Sequence, residues 1–202
     1  MNSQTQSRRP VILTWQRVVA PSLESVRLLF TGARLRAYGR IVAAADQATG
    51  TQAFNASFAA SVERAEEAGR LLFRTTTADE ETQMSLNRDE DGAWLIDHGD
   101  GTQQRSAFGG AIDVDVTGAV TFNALPIRRL GLHREAAELE LPVLTVALPD
   151  LSVRLVRQTY RTVSIDDTGA VINYSDNEGL GADLTVDRDG MIVDFPGRAH
   201  RI

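Results

Sequence analysis

The sequence predicts a mainly β protein whose antiparallel strands form a barrel-like body. Short segments rich in β-branched residues recur along the chain, and several alternate between apolar and polar positions, which is typical of half-buried strands. Asp-Gly and Thr-Gly dipeptides separate many of them and supply the positive φ angles of tight turns. Many short strands joined in this way indicate a sandwich or a barrel. The predicted strands are residues 11–19, 25–30, 70–76, 82–86, 111–116, 139–148, 151–156, 171–174, 182–186 and 191–195.

The remaining elements fit one domain. Residues 1–10 are polar and are expected to be flexible, whereas residues 11–202 have the composition of a single β-rich domain. One or two short helices are expected. Residues 59–69 combine helix-forming Ala, Glu and Arg with an alternation that equally fits a strand and hairpin, so both alternatives stay open. Residues 127–137 follow a proline and predict a second helix, although Gly131 interrupts the pattern.

Two blocks of sequence recur in the same order and suggest an internal duplication. Residues 21–28 resemble residues 149–155, and residues 84–92 resemble residues 182–190. The pseudo-repeats would be residues 11–110 and 139–202, forming two similar β-units with a cleft at their junction. The alternative is that strand-and-turn sequences resemble one another in any β protein. The sequence does not decide between the two.

Composition and charge narrow the class of function. The net charge of −6 argues against nucleic-acid binding, because the phosphate backbone is bound by concentrated positive charge. All 21 basic residues are arginine, and there is no cysteine for disulfide or thiolate chemistry. No apolar run near the N-terminus has the length of a secretory signal or a spanning helix, so we expect a cytoplasmic protein that does not cross a membrane. A monomer and a homodimer both stay open.

Two adjacent arginines, Arg128 and Arg129, follow the Leu125-Pro126 step. Proline fixes φ and restricts the residue before it, so we expect an extended backbone here that aims the following side chains into a site. Guanidinium groups suit phosphate and carboxylate ligands. The alternative is structural, with the two arginines paired to carboxylates such as Asp113 or Asp115.

Four segments carry a family resemblance: residues 123–130, 149–151, 158–160 and 186–196. They resemble the putative glycolipid-binding domain family, a bacterial group formerly known as a domain of unknown function. The likeness covers most of the chain. The family's central motif runs Thr-Asn-Thr-Leu-Pro-Ile-Arg-Arg-Leu and its ending contains Tyr-Pro, whereas this chain has Phe122, Ala124 and Phe195 at the Thr, Thr and Tyr positions. The resemblance implies binding of a glycolipid by a site that here lacks some of the family's hydroxyl groups.

Paired acids suggest an alternative function. Asp113 and Asp115 lie two residues apart on a predicted strand and therefore share a face, where they can hold a hard cation such as Mg²⁺ or Mn²⁺. A metal-dependent phosphoester or nucleotide hydrolase would use them with Arg128 or Arg129 on the phosphate. The other interpretation is that these acids neutralise the arginines or face solvent. Hydrolase nucleophile motifs and phosphate-binding glycine loops are missing, and the three histidines, expected at the surface, lack metal-site spacing.

The favoured hypothesis is a protein without enzymatic activity or cofactor that binds a glycolipid or another amphiphile in a cleft. Gln158 and Tyr160 share a strand face with Arg154 and can donate to sugar hydroxyls or a phosphate, unless Tyr160 is partly buried with its hydroxyl satisfied and Gln158 bonds to the backbone. Burial of the acyl portion would supply most of the affinity, about 0.8 kcal/mol per CH₂.

A third alternative, a partner-binding module, predicts an exposed apolar patch. The expected ligand-binding residues are Asn123, Arg128, Arg129, Gln158, Tyr160 and Asp115, with apolar walls from Trp15, Phe30, Phe122 and Leu125.

Overall fold

The structure is a computed structural model that describes residues 9–18, 21–31, 34–64 and 67–202. These residues contain fifteen β-strands, one α-helix and one short 3-10 helix. Every predicted strand overlaps an observed one. In chain order the elements are β1 (Arg9–Arg17), β2 (Ser22–Thr31), β3 (Arg34–Ala43), β4 (Phe54–Arg64), β5 (Glu67–Thr76), β6 (Glu81–Arg88), β7 (Trp94–Asp97), β8 (Gln103–Ser106), the 3-10 helix (Phe108–Gly110), β9 (Asp113–Val116), α1 (Val120–Leu130), β10 (Glu138–Val146), β11 (Val153–Ile165), β12 (Gly169–Asp176), β13 (Gly181–Asp187), β14 (Ile192–Phe195) and β15 (Ala199–Arg201).

All strands belong to one sheet with the order β8-β7-β6-β5-β4-β3-β2-β1-β15-β14-β13-β12-β11-β10-β9. Every pair of adjacent strands in the sheet is antiparallel except β9 and β10, and β1 joins the two halves of the chain by pairing with β15. β9 and β10 are parallel, and α1 provides the crossover that a parallel connection requires. The predicted mainly β, antiparallel fold is confirmed. The described strands form a curled sheet that is open, because its edge strands β8 and β9 do not pair.

The sheet curls around α1, and the core lies between them. Inward positions alternate with exposed ones along β2 and β3, as expected for strands with one buried face. The ring centroid of Phe122 in α1 lies 4.9 Å from that of Phe58 and 5.9 Å from that of Phe73. Seven of the eleven residues of α1 are buried, since the helix is enclosed by the concave side of the sheet.

The helix lies earlier in the chain than predicted. It spans Val120–Leu130 rather than residues 127–137, and it ends at Gly131, whose φ of 69° is the left-handed conformation that favours glycine at a helix C-terminus. Pro126 lies inside the helix, so the extended backbone expected at Leu125-Pro126 is also wrong. A proline inside a helix lowers the stability of that helix by about 3 kcal/mol. Burial of the surrounding apolar side chains in the core offsets this cost, which a local reading of the Leu-Pro step could not anticipate.

The ambiguous segment at residues 59–69 forms two strands rather than a helix. Residues 59–64 belong to β4 and residues 67–69 to β5, while residues 65 and 66 lie outside the described residues. The cross-strand pairs Phe58↔Phe73 and Ala60↔Leu71 place apolar side chains on the core face. Burial along this face therefore prevails over local helix propensity.

The suggested duplication stays a prediction. Asp89 and Asp187, which correspond in the repeated blocks, make the same turn: each side chain accepts the backbone N–H four residues later, from Ala93 and Met191 respectively. Asp176 does the same for Leu180, outside the repeated blocks. A common turn type therefore accounts for the similarity as well as duplication does.

Of the N-terminal segment expected to be flexible, residues 1–8 lie outside the described residues, and Arg9 and Pro10 begin β1.

Candidate functional site

A half-open cavity of about 390 Å³ lies at the start of α1. Its lining comes from β1, from the C-terminal strands β9 to β12, from the β14–β15 turn and from the segment Thr117–Val120 that leads into the helix. Its size is within the range of roughly 300 to 1,000 Å³ that is common for small-molecule sites. Three of the predicted ligand-binding residues, Asp115, Asn123 and Gln158, line it.

A chain of hydrogen bonds forms one wall of the cavity. Gln158 donates from Nε2 to Asp115 Oδ2 at 2.7 Å, and the Tyr160 hydroxyl donates to Gln158 Oε1 at 2.9 Å. Tyr160 is fully buried behind Gln158 and does not line the cavity. Its hydroxyl is satisfied, as the structural alternative expects, but its burial is complete rather than partial, and Gln158 bonds to a side chain rather than to the backbone. Tyr160 therefore fixes the orientation of the Gln158 amide.

The surroundings of Asp115 change its acidity. Burial raises the pKa of this carboxyl, although hydrogen bonds from Gln158 and the Val116 N–H oppose the shift. The nearby carboxylate of Asp176 raises the pKa further, and a hydrogen bond with Asn123 lowers it. Asp115 is therefore a strong acceptor that also gains a proton more readily than an exposed aspartate.

Charged side chains stand at the mouth of the cavity. Arg154 and Glu178 form a two-pronged ion pair in which both distances are 2.8 Å. Asp176 accepts from the Tyr174 hydroxyl at 3.2 Å and, through its other oxygen, from the backbone of the following turn. Sequence reasoning missed Asp176 and Tyr174. The strand pairing Gln158↔Asp176 is what brings them to the site, and only a known strand register could have revealed it.

Two further arginines line the cavity and were also missed. Arg17 ends β1, and Arg198 lies in the turn between β14 and β15. Val18 donates its backbone N–H to the Arg198 carbonyl at 2.8 Å, which holds the two segments together. The Arg198 guanidinium lies 5.8 Å from the centre of the Phe195 ring. No local sequence signal marks this pair, because 180 residues separate its members.

A buried carboxylate lies under the start of α1. Glu24 accepts the backbone N–H groups of Val120 at 2.5 Å and of Thr121 at 3.2 Å, so it caps the helix from a neighbouring strand. Burial raises the pKa of Glu24 to about 7, although these hydrogen bonds and the charge of Arg17 lower it. The first N–H groups of α1 are therefore already occupied.

The two arginines expected at the site lie at the other end of α1 and do not line the cavity. Arg129 binds Asp113 through two hydrogen bonds of 3.1 and 2.6 Å, and both side chains are largely buried. Arg128 donates to the Asp189 carbonyl and lies 4.3 Å from the centre of the Phe30 ring. Arg129 therefore makes the pair with Asp113 that the structural alternative named, and the helix, which extends through Pro126, carries both arginines away from the cavity.

The expected apolar walls are absent from the lining as well. Trp15 and Phe122 are buried in the core, where the Trp15 indole donates to the Ile192 carbonyl at 2.9 Å. Phe30 packs beneath Arg128, and Leu125 is likewise outside the cavity. These large side chains fill the interior of the curled sheet, which leaves a cavity with a substantial polar lining.

The paired aspartates do not share a free site. Asp113 is engaged by Arg129, and Asp115 is bonded by Gln158. Across the described residues, no group of three or more His, Cys, Asp or Glu side chains is placed to hold a metal ion. This geometry does not support the hydrolase alternative. Of the histidines expected at the surface, His133 is instead buried between α1 and the turn at Gly190.

Fold and cavity together define a β-sheet protein with a half-open cavity of mixed charge. The sequence model of the family described as putative glycolipid-binding matches residues 12–201, so the chain belongs to this family. The fold is similar to the crystal structure of a DUF1089 family protein from Pseudomonas aeruginosa, with a TM-score of 0.70 and 24% sequence identity over 90% of this chain and 92% of that one. A search of curated proteins finds no match. No helix in the described part of the chain has the length and apolarity of a membrane span.

Proposed function

We propose that the protein binds the sugar head group of a glycolipid or a related amphiphile in the cavity at the start of α1. The observation that supports this most strongly is the wall formed by Asp115, Asn123 and Gln158. It presents a carboxylate and two amides, the side-chain types that exchange hydrogen bonds with vicinal hydroxyl groups. Membership of the family described as putative glycolipid-binding points in the same direction.

The wall is held in place before any ligand arrives. Gln158 is almost completely buried, and its amide is oriented by Tyr160 behind it and by Asp115 beside it. Side chains that are fixed in this way lose little conformational entropy on binding. The arrangement therefore favours recognition of a defined pattern of hydroxyl groups.

The lining also limits what the cavity accepts. Charged side chains surround its mouth, and apolar contributions come from small patches such as Val156, Leu180 and Phe195. An enclosed acyl chain would desolvate those charges at considerable cost. We infer that the cavity holds the head group and that the acyl portion extends outside it, so that acyl burial supplies less of the affinity than the sequence suggested.

The proposal is tested with three diacylglycerols that carry no sugar, a glucosyl group or a glucuronosyl group, presented in detergent micelles and measured by calorimetry. We expect the sugar-bearing lipids to bind at least about 10-fold more tightly than the lipid without sugar, which corresponds to about 1.4 kcal/mol. Asp115→Asn should lose most of this preference, because a hydrogen bond to a charged group contributes about 1.5 to 3 kcal/mol.

The matched control is Asp79→Asn, at an exposed position that is not part of the cavity lining, which should bind like the wild type. Equal binding of all three lipids would refute head-group recognition. An unchanged sugar preference in a correctly folded Asp115→Asn variant would place the sugar elsewhere on the protein.

A further inference from the structure

The charges around the cavity are unevenly matched. On the side of β11 and β12, Arg154 is neutralised by Glu178, and Asp176 accepts hydrogen bonds from the turn that follows it. On the side of β1 and β15, Arg17 and Arg198 line the cavity, and among the described residues no carboxylate forms an ion pair with either of them. The side formed by β1 and β15 therefore carries two positive charges that no described carboxylate neutralises through an ion pair.

The two guanidinium groups affect each other. Burial lowers the pKa of Arg17, and the positive charge of Arg198 lowers it further. Glu24 and Asp46 act in the opposite direction, but the Glu24 carboxyl is already used by the backbone N–H groups of α1. Holding two like charges in a partly enclosed space is unfavourable unless an anion enters between them.

The backbone makes room for Arg17 at this place. Gly118 has a φ of 93°, and a Cβ atom there would lie 2.9 Å from an Arg17 guanidinium nitrogen. Any other residue at this position would strain the backbone and displace the side chain. The guanidinium thus lies against the segment Thr117–Val120, which lines the cavity before α1.

We propose that Arg17 and Arg198 form an anion subsite, so that the head group bound in the cavity is an acidic sugar carrying a carboxylate, sulfate or phosphate. Guanidinium groups bind such oxyanions through paired, charge-assisted hydrogen bonds. The neutral hydroxyl groups of the same sugar would face Asp115 and Gln158 across the cavity. This inference rests on the proposed function, since it assigns a ligand class to the same site.

The competing explanation is that both arginines are simply solvated at the cavity mouth, as many surface arginines are. It predicts that neutral and acidic sugars bind alike, and that the two arginines can be replaced without a change in affinity. Binding measurements with soluble probes separate the explanations, because they remove any contribution from the acyl chains.

The probes are methyl β-glucoside, methyl β-glucuronide and inorganic phosphate, titrated by calorimetry into wild-type protein and the double variant Arg17→Gln/Arg198→Gln. We expect the glucuronide to bind wild type at least about 10-fold more tightly than the glucoside, and the double variant to lose this difference while its glucoside affinity stays within about 2-fold. The glucuronide affinity should also fall as sodium chloride rises. Arg40→Gln, which removes an exposed arginine from the outer face of β3, is the matched control and should behave like wild type.

The outcomes separate the two proposals. Equal affinity for glucoside and glucuronide would overturn the anion subsite and leave sugar binding intact. Binding of phosphate that depends on both arginines, with no added affinity from the sugar, would support the subsite and overturn the sugar head group. Absence of binding by all three probes, together with failure of the lipids, would overturn both.

Discussion

The two ends of helix α1 each combine a buried carboxylate with nearby arginines, but they differ in what those groups face. At the C-terminal end, Arg129 and Asp113 satisfy each other within the protein. At the N-terminal end, Glu24 is satisfied by the helix backbone, while Arg17 faces a cavity. The same residue types thus stabilise the fold at one end and form a candidate binding site at the other.

The difference teaches how to distinguish a structural arginine from a ligand-binding one. An arginine whose donors are used by a buried carboxylate has little capacity left for a ligand. An arginine that lines a cavity, repelled by a second arginine and lacking a carboxylate in ion-pair contact among the described residues, retains that capacity. The bonding partner and the position in the fold therefore distinguish a structural arginine from a ligand-binding one, whereas the residue type and the local sequence do not.

The largest expected effect is at the C-terminal end. Arg129→Met should destabilise the protein by about 3 to 5 kcal/mol, because it leaves the buried Asp113 carboxylate without its partner. Urea denaturation measures the change, and Arg134→Met, which alters an exposed arginine nearby, should cost less than about 0.5 kcal/mol. The double variant Asp113→Leu/Arg129→Met should recover much of the loss. If Arg129→Met were instead as stable as the wild type but had lost sugar binding, Arg129 would belong to the binding site, and the difference between the two ends of α1 would not hold.

The next effect concerns Glu24 and pH. Its pKa of about 7 in the folded protein exceeds the ordinary value of 4.5, so its contribution to stability is complete below about pH 4.5 and is lost as the pH rises to about 7. At about 1.4 kcal/mol per pKa unit, the loss is roughly 3 kcal/mol. Asp115, whose pKa is also raised, contributes a slope of the same sign.

Denaturation between pH 4.5 and 8 measures this dependence. Glu24→Gln should be less stable at low pH, since an amide cannot accept both backbone N–H groups, and it should show a clearly flatter pH dependence. Glu135→Gln, an exposed control, should keep the wild-type slope. An equally steep slope in Glu24→Gln would show that Glu24 remains ionised in the folded protein throughout this range.

The smallest effect is expected at Arg128. Arg128→Met retains the apolar stem over Phe30 and removes the cation–π contact and the hydrogen bond to the Asp189 carbonyl, so we expect a loss of about 1 to 2 kcal/mol. Thermal denaturation measures it, and binding of the glucuronide probe should be unchanged. A weakened affinity without loss of stability would extend the site to the C-terminal end of the helix and blur the comparison.

Strand content was predictable because it depends on local patterns. Alternation of apolar and polar residues along β2 and β3 and turn dipeptides such as Asp189-Gly190 act over a few residues, so the mainly β class follows from them. Asp115, Asn123 and Gln158 were also identified from the sequence, and the structure brings them to one cavity, although their role in binding stays a proposal.

Tertiary structure alone decided the rest. The position of α1 depends on burial inside a curled sheet built from the whole chain, which outweighs the local cost of Pro126. The partner of Arg129 is fixed by the packing of the helix against β9, and the proximity of Arg17 to Arg198 requires the first and last strands to pair. Local propensity acts over neighbouring residues, whereas burial and charge pairing depend on which distant segments meet, and only the folded chain determines that.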